Sequence, residues 1–236
     1  MSQIHRRYAT VNGQQLFYRE AGPSEAPALV LLHGFPTSSF MFRNLTPRLA
    51  DRYHVIAPDH LGFGLSDAPP AEQFDYTFNA LTDLTAGLLA ELGITRYAIY
   101  VQDYGAPIGW RLALRDPGAI TAIITQNGNG YDAGFVDSFW KPVWDYQRDQ
   151  TPETETAVRF ALTPEATRWQ YLTGVADESL VSPDTNHVSF EADEIDVYLD
   201  GKQLALEPGQ SVIAHGVDRG LDPDEIRHHG NIPVRA

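Results

Sequence analysis

Three short stretches gather most of the side chains that could do chemistry. They are His33-Gly34-Phe35-Pro36-Thr37-Ser38-Ser39, Pro58-Asp59-His60-Leu61-Gly62-Phe63-Gly64-Leu65-Ser66-Asp67 and Val101-Gln102-Asp103-Tyr104-Gly105-Ala106-Pro107. Each follows a short apolar run that reads as a strand. Ligands of an open parallel sheet bind at the carboxyl ends of its strands, so the three loops should meet along one edge. A carboxylate at Asp103, just before a helical segment, has two uses. It caps the helix that begins near Gly105, or it reacts with an electrophile. The chain has no cysteine, which excludes thiolate catalysis, disulfides and zinc–thiolate sites. No group of His, Asp and Glu has metal-ligand spacing, since His228 and His229 are adjacent rather than i, i+4. The expectation is chemistry with no metal and no organic cofactor.

The elements that would position these loops are legible in the apolar pattern. Gln15–Tyr18 reads as a strand, and Ala28–Leu32 is apolar throughout, as suits a strand buried on both faces. Phe40–Leu49 has helical spacing, with Met41, Leu45 and Leu49 on one face. Tyr53–Ala57 is the next strand, and Phe78–Leu92 a strongly apolar helix closed by Gly93. Tyr97–Val101, Ala106–Arg115 and Ala119–Thr125 continue the alternation as strand, helix and strand. Strand–helix alternation with buried strands predicts an α/β fold with a mostly parallel sheet.

The texture changes after residue 130. Residues 131–185 are rich in aromatics, show helical patches and carry no clear strand, so they read as an inserted helical unit. Trp140 and Trp144 stand i, i+4 and share a face if that segment is helical. From residue 186 a third texture begins. Glu194–Leu199, Asp200-Gly201 and Lys202–Leu206 form a hairpin signal with a type I′ turn, followed by a polar tail. The expected organisation is 1–130, 131–185 and 186–236.

Hydrophobic residues make up 43% of the 236 and charged residues 20%, enough apolar surface for a packed core. The formal net charge of −14 disfavours nucleic acid and anionic membranes as partners. No apolar run reaches the roughly 20 residues that a bilayer requires, and the first residues carry no apolar signal region. The absence of cysteine fits a reducing compartment, so a cytoplasmic location is expected. The oligomeric state stays open.

Taken together, the three loops resemble the α/β-hydrolase family, and more narrowly its haloalkane dehalogenase and epoxide hydrolase branches. The resemblance covers about Tyr8 to Thr185. It implies an α/β-hydrolase core, with the helical unit as a cap over the active site. Val101–Pro107 then resembles the nucleophile elbow, with Asp103 where serine members carry serine. Such an aspartate displaces halide or opens an epoxide, giving an alkyl ester that histidine-activated water hydrolyses. The resemblance places the oxyanion or halide site at the backbone N–H groups of Phe35 and Tyr104. It makes His33 structural rather than a base, His60 a turn residue, and Asp59 and Asp67 organisers of their loop. Typical dehalogenases carry tryptophan after the nucleophile; Tyr104 stands there, which favours epoxides slightly. Trp140, Trp144 and Tyr171 are candidates to line the substrate pocket, and Tyr131, Tyr146 and Tyr171 to donate a hydrogen bond to an epoxide oxygen. The expected partner is a small apolar substrate.

The resemblance stops near residue 186. The family's late base histidine has no G-H-F equivalent, and the sheet reads as incomplete on its C-terminal side. His187, His215, His228 and His229 are the late histidines, and His215, after the apolar run at Ser211–Ala214, is the candidate base. Asp132 is a candidate acid, because Gln126 and Asn127 occupy the more usual positions. Alternative readings remain: a truncated or chimeric hydrolase-like chain without a competent base, and an ester or lactone hydrolase.

Overall fold

In the computed structural model, residues 3–131, 135–181, 197–199 and 202–204 are described. The chain opens with β1 (His5–Val11) and β2 (Gln14–Ala21), joined by Asn12-Gly13 and paired antiparallel. Both turn residues have positive φ, 51° and 81°, the conformation that a two-residue hairpin turn demands. Then come β3 (Ala28–Leu32), α1 (Thr46–Leu49), β4 (His54–Pro58), α2 (Phe78–Glu91), β5 (Tyr97–Gln102), α3 (Gly105–Arg115) and β6 (Ile120–Gln126). The six strands form one sheet in the order β1-β2-β4-β3-β5-β6. The pairs β3–β4, β3–β5 and β5–β6 are parallel, and β2 joins β4 antiparallel.

The centre of the sheet is covered on both faces, because β3 is apolar throughout and β4 and β5 are apolar but for the terminal His54 and Gln102. Val30, Leu32, Ile56, Ile99 and Val101 pack against Leu81, Leu84 and Leu88 of α2 and Ile108 and Leu112 of α3. The alternate residues Leu29, Leu31, Val55 and Ala57 face the other way, against Phe42, Met41, Leu45 and Leu49. Each aliphatic side chain fully buried in this way stabilises by about 1.5–3 kcal/mol. Thr77 caps α2 by accepting from the Ala80 N–H.

One expected helix is broken. Residues 40–49 form a 3₁₀ turn at Ser39–Phe42 and the single-turn α1, not a continuous helix. Pro47 has no N–H to give the Arg43 carbonyl, so the helix cannot run through. The apolar face survives the break, because Met41, Leu45 and Leu49 still pack on the sheet.

The sheet ends at β6 among the described residues, and Thr121–Gln126 are all exposed. The chain continues into α4 (Asp137–Arg148), α5 (Pro152–Val158) and α6 (Pro164–Leu172). An aromatic cluster joins these helices: Phe139 stacks on Trp169 and meets Phe160 edge-on. Further on, β7 (Val197–Leu199) and β8 (Lys202–Leu204) pair antiparallel, Leu199 opposite Lys202. The Asp200-Gly201 turn between them lies outside the described residues.

Candidate active site

Asp103 sits where β5 turns into α3. Its φ of +46° lies in the left-handed region that a side chain adopts at a cost. The turn is that sharp because α3 starts hard against β3: a Cβ on Gly105 would lie 2.2 Å from the Leu32 carbonyl oxygen. The loop after β3 approaches as closely. A Cβ on Gly34 would stand 2.3 Å from the Asp103 Cβ. Only glycine at both positions lets the two loops meet at the carboxylate.

That approach brings two backbone donors onto one oxygen. The Phe35 N–H donates to Asp103 Oδ1 at 2.8 Å, and the Tyr104 N–H donates to the same atom at 2.7 Å. Asp103 Oδ2 accepts no hydrogen bond among the described residues. Burial pushes the Asp103 carboxyl above its ordinary value, and the two N–H donors pull partly against that shift. Burial also raises the Tyr104 hydroxyl, with Asp103 adding to it, so that hydroxyl stays protonated.

Apart from the Phe35 N–H, the polar groups of the other two loops hold one another. Asp59 is buried and accepts from Ser39 N–H at 2.7 Å on Oδ1 and from Leu65 N–H at 2.8 Å on Oδ2. Burial raises its carboxyl in spite of these donors and of Arg19 nearby. Asp67 holds the Gln15 N–H at 2.7 Å, tying the loop to β2. His33 and His60 stack with ring centroids 4.2 Å apart. His33 Nε2 accepts the His60 backbone N–H at 3.1 Å, so its proton sits on Nδ1, 3.0 Å from the Gly34 carbonyl. His60 Nε2 in turn donates to the His33 carbonyl at 2.9 Å. Burial pushes His33 down to about 4, and burial and the neighbouring His33 push His60 well down. Both nitrogens of His33 are committed, which leaves none to accept a proton from water.

A cavity of about 260 Å³ opens above Asp103. Tyr104, Pro107 and Arg111 line it from one face of α3, and Trp140, Val143, Trp144 and Gln147 from one face of α4. Phe78, Asn127, Asn129 and Phe135 complete the wall. Trp140 and Trp144 therefore reach the cavity together with Asp103 and Tyr104. Tyr171 does not line it, contrary to expectation. Its hydroxyl hydrogen-bonds with Thr37, which anchors α6 to the loop after β3, and burial raises its pKa. Tyr131 is 86% exposed and Tyr146 is buried away from the cavity, so none of the three candidate tyrosines lines it. Phe35 bears on the site through its N–H and packs its ring near Tyr104. His215, His187, His228, His229 and Asp132 lie outside the described residues. Asn127, with φ of +47°, stands at the end of β6 where a carboxylate acid was sought.

Arg111 and Gln147 were not anticipated. The spacing of Tyr104, Pro107 and Arg111, i, i+3 and i+7 from the elbow, held the signal for the first. Among the described residues no group of His, Asp or Glu could hold a metal ion, and no helix is long and apolar enough to cross a membrane.

The alpha/beta hydrolase fold model matches residues 27–174. A Saccharomyces cerevisiae protein described as an uncharacterized hydrolase is 41% identical over 189 residues, covering 78% of this chain and 64% of its own. An epoxide hydrolase of Mycobacterium tuberculosis is 37% identical over 118 residues, 50% of this chain and 36% of its own. The crystal structure of a haloalkane dehalogenase from Bradyrhizobium elkani superposes with a TM-score of 0.61 at 28% identity, covering 75% of this chain and 62% of that one. The chain thus spans less than two thirds of the length of each. The strand order, the glycine-framed turn at Asp103 and the match across most of the described core agree, and the chain belongs to the α/β-hydrolase fold family.

Proposed function

We propose that the chain is a hydrolase whose nucleophile is Asp103. Its substrates carry an electrophilic saturated carbon, as haloalkanes and epoxides do. The observation that carries this reading is the unequal treatment of the two carboxylate oxygens. Oδ1 is held by the Phe35 and Tyr104 N–H groups, while Oδ2 is without a hydrogen bond at the floor of the cavity. Attack by Oδ2 forms an O–C bond as the carbon–halogen bond breaks and halide leaves, or as the epoxide C–O bond opens to an alkoxide that takes a proton. Oδ1 becomes the carbonyl oxygen of the alkyl ester. When water adds to that carbonyl, the negative charge develops on Oδ1, where two donors already point. Breakdown returns the carboxylate and releases an alcohol or diol built on the old Oδ2.

Water addition needs a base, and His215 is the residue we assign to it. The helices α4–α6 serve as the cap, with indole N–H groups of Trp140 and Trp144 as the available donors for a departing halide or opening oxygen. Tyr131, Tyr146 and Tyr171 do not line this cavity, so the slight preference for epoxides rests on Tyr104 alone.

Intact-mass spectrometry after incubation with short bromoalkanes and terminal epoxides tests this reading, with Asp103→Asn as control. The expected result is an alkyl adduct or a released alcohol or diol that the control lacks. Neither adduct nor product from any of these substrates overturns it.

A further inference from the structure

Among the described residues, Arg111 is the one cationic residue in the lining of the cavity above Asp103, which is otherwise made of aromatic, small apolar and amide side chains and the Asp103 carboxylate. It lies on α3 with Arg115 one turn further on, and the contrast between the two is informative. Arg115 pairs with Asp83 on α2. Arg111 has no carboxylate within 4.0 Å among the described residues. Its Nε donates to Asn79 Oδ1 at 2.9 Å and its Nη1 to the Pro107 carbonyl at 3.0 Å. Its guanidinium carbon stands 5.6 Å from the centre of the Phe78 ring, another wall of the cavity. These contacts fix the orientation of the head group and are all neutral. A guanidinium has five N–H donors. Two are spent, so one on Nη1 and both on Nη2 remain, enough donors to pair with both oxygens of a carboxylate.

From these observations we infer that Arg111 is a carboxylate-binding residue that sets substrate specificity. The substrate is then an anionic one, a haloalkanoate or epoxyalkanoate. Its electrophilic carbon lies at Asp103 and its carboxylate at Arg111. Gly105 to Arg111 spans roughly 9 Å of helix axis at 1.5 Å per residue, so a chain of medium length bridges the two ends. The net charge of −14 repels anions in general, which leaves a local cation as the means of admitting one. A purely structural Arg111, linking α2 to α3 through Asn79, needs the Nε–H but not the positive charge.

The inference rests on Asp103 as nucleophile, so its test has one arm that needs no chemistry. An unreactive medium-chain alkanoate is titrated against the wild type and Arg111→Gln by calorimetry, with the alcohol of the same length as the uncharged comparison. The wild type should bind the alkanoate about tenfold or more tighter than Arg111→Gln does, as expected for a charge-assisted pair, and the alcohol should show no such difference. Arg111→Lys should keep part of the preference. In the second arm, adduct formation is compared for an ω-bromoalkanoate and the bromoalkane of equal length. Their rate ratio should favour the bromoalkanoate in the wild type and collapse toward unity in Arg111→Gln. Equal alkanoate binding by all three proteins overturns the role of Arg111 whatever Asp103 does. Alkanoate binding that depends on Arg111, without any adduct or product, supports the subsite and counts against Asp103. If Arg111→Gln fails to fold, Arg111→Lys decides: alkanoate binding no tighter than alcohol binding in the wild type or in this variant overturns the inference.

Discussion

Gly34 stands against Asp103 with no room for a methyl group, since a Cβ there would lie 2.3 Å from the Asp103 Cβ and 2.7 Å from its Oδ1. The close approach is what delivers the Phe35 N–H to Oδ1. Gly34→Ala should push the two loops apart, cost about 1–3 kcal/mol of stability as an overpacked site, and slow alkylation of Asp103 at least tenfold. Urea midpoints and the rate of adduct formation check both halves. Full alkylation by a stable Gly34→Ala protein would separate the glycine from the chemistry.

Asp103→Asn should abolish adduct formation and also stabilise the protein at neutral pH. Burial raises the folded-state pKa of Asp103 above its unfolded value. Its contribution to stability is therefore fully present below the unfolded value and is lost as pH rises through the folded one. The amide cannot ionise and escapes that loss. A gain of about 1 kcal/mol is typical for relief at a strained functional site. It should vanish at pH values below the ordinary carboxylate range, as read by denaturant titration across pH.

The buried His33–His60 pair makes the core sensitive to acid. Both are held neutral in the folded protein, His33 down to about 4 from an ordinary 6.5. Between those values the unfolded chain binds protons that the folded one refuses, so stability is complete above about 6.5 and falls as pH drops toward 4. The slope reaches about 1.4 kcal/mol per pH unit for each histidine in that window. His60→Gln, whose amide can still donate to the His33 carbonyl, should flatten the slope. Denaturant midpoints at neutral and mildly acid pH measure it.

Among the described residues β6 is the outermost strand of the sheet, and its exposure predicts self-association. β6 reads Ile-Thr-Ala-Ile-Ile-Thr-Gln, with no charge and no proline, and Ile123 and Ile124 are 45% and 44% exposed. Uncharged apolar edges pair with other chains. Ile124→Lys should reduce aggregation on heating, followed by light scattering, with little change in the midpoint of unfolding. Equal scattering from the two proteins counts against the edge as the source.

The parallel core was readable because β3 is apolar throughout and β4 and β5 are apolar but for His54 and Gln102 at their ends. The Asp103 turn was readable because aspartate, tyrosine and glycine follow a buried strand directly. β1 was missed although Asn12-Gly13 is a strong hairpin signal, because the exposed residues of β1 give it no apolar pattern. Pro47 divided a helix whose apolar face had been read correctly. Tyr171 faces Thr37 rather than the cavity because the way α6 docks depends on tertiary contacts that spacing does not encode. Arg111 was passed over because an arginine one turn before Arg115 on a helix looks like part of a solvated face. Only the roof supplied by α4 shows that it borders a cavity.

The pinning of Oδ1 gives the carboxylate an isotopic memory. Hydrolysis of the ester draws its new oxygen from water and releases the alcohol with the old Oδ2. Oδ1, bonded to two backbone N–H groups throughout, takes no part in the exchange. Over many turnovers in heavy-oxygen water, Asp103 should therefore carry one heavy oxygen and retain one light one. A second heavy atom appears only if the carboxylate rotates between cycles. The labelling of a single peptide thus counts how often the side chain lets go of the loop that holds it.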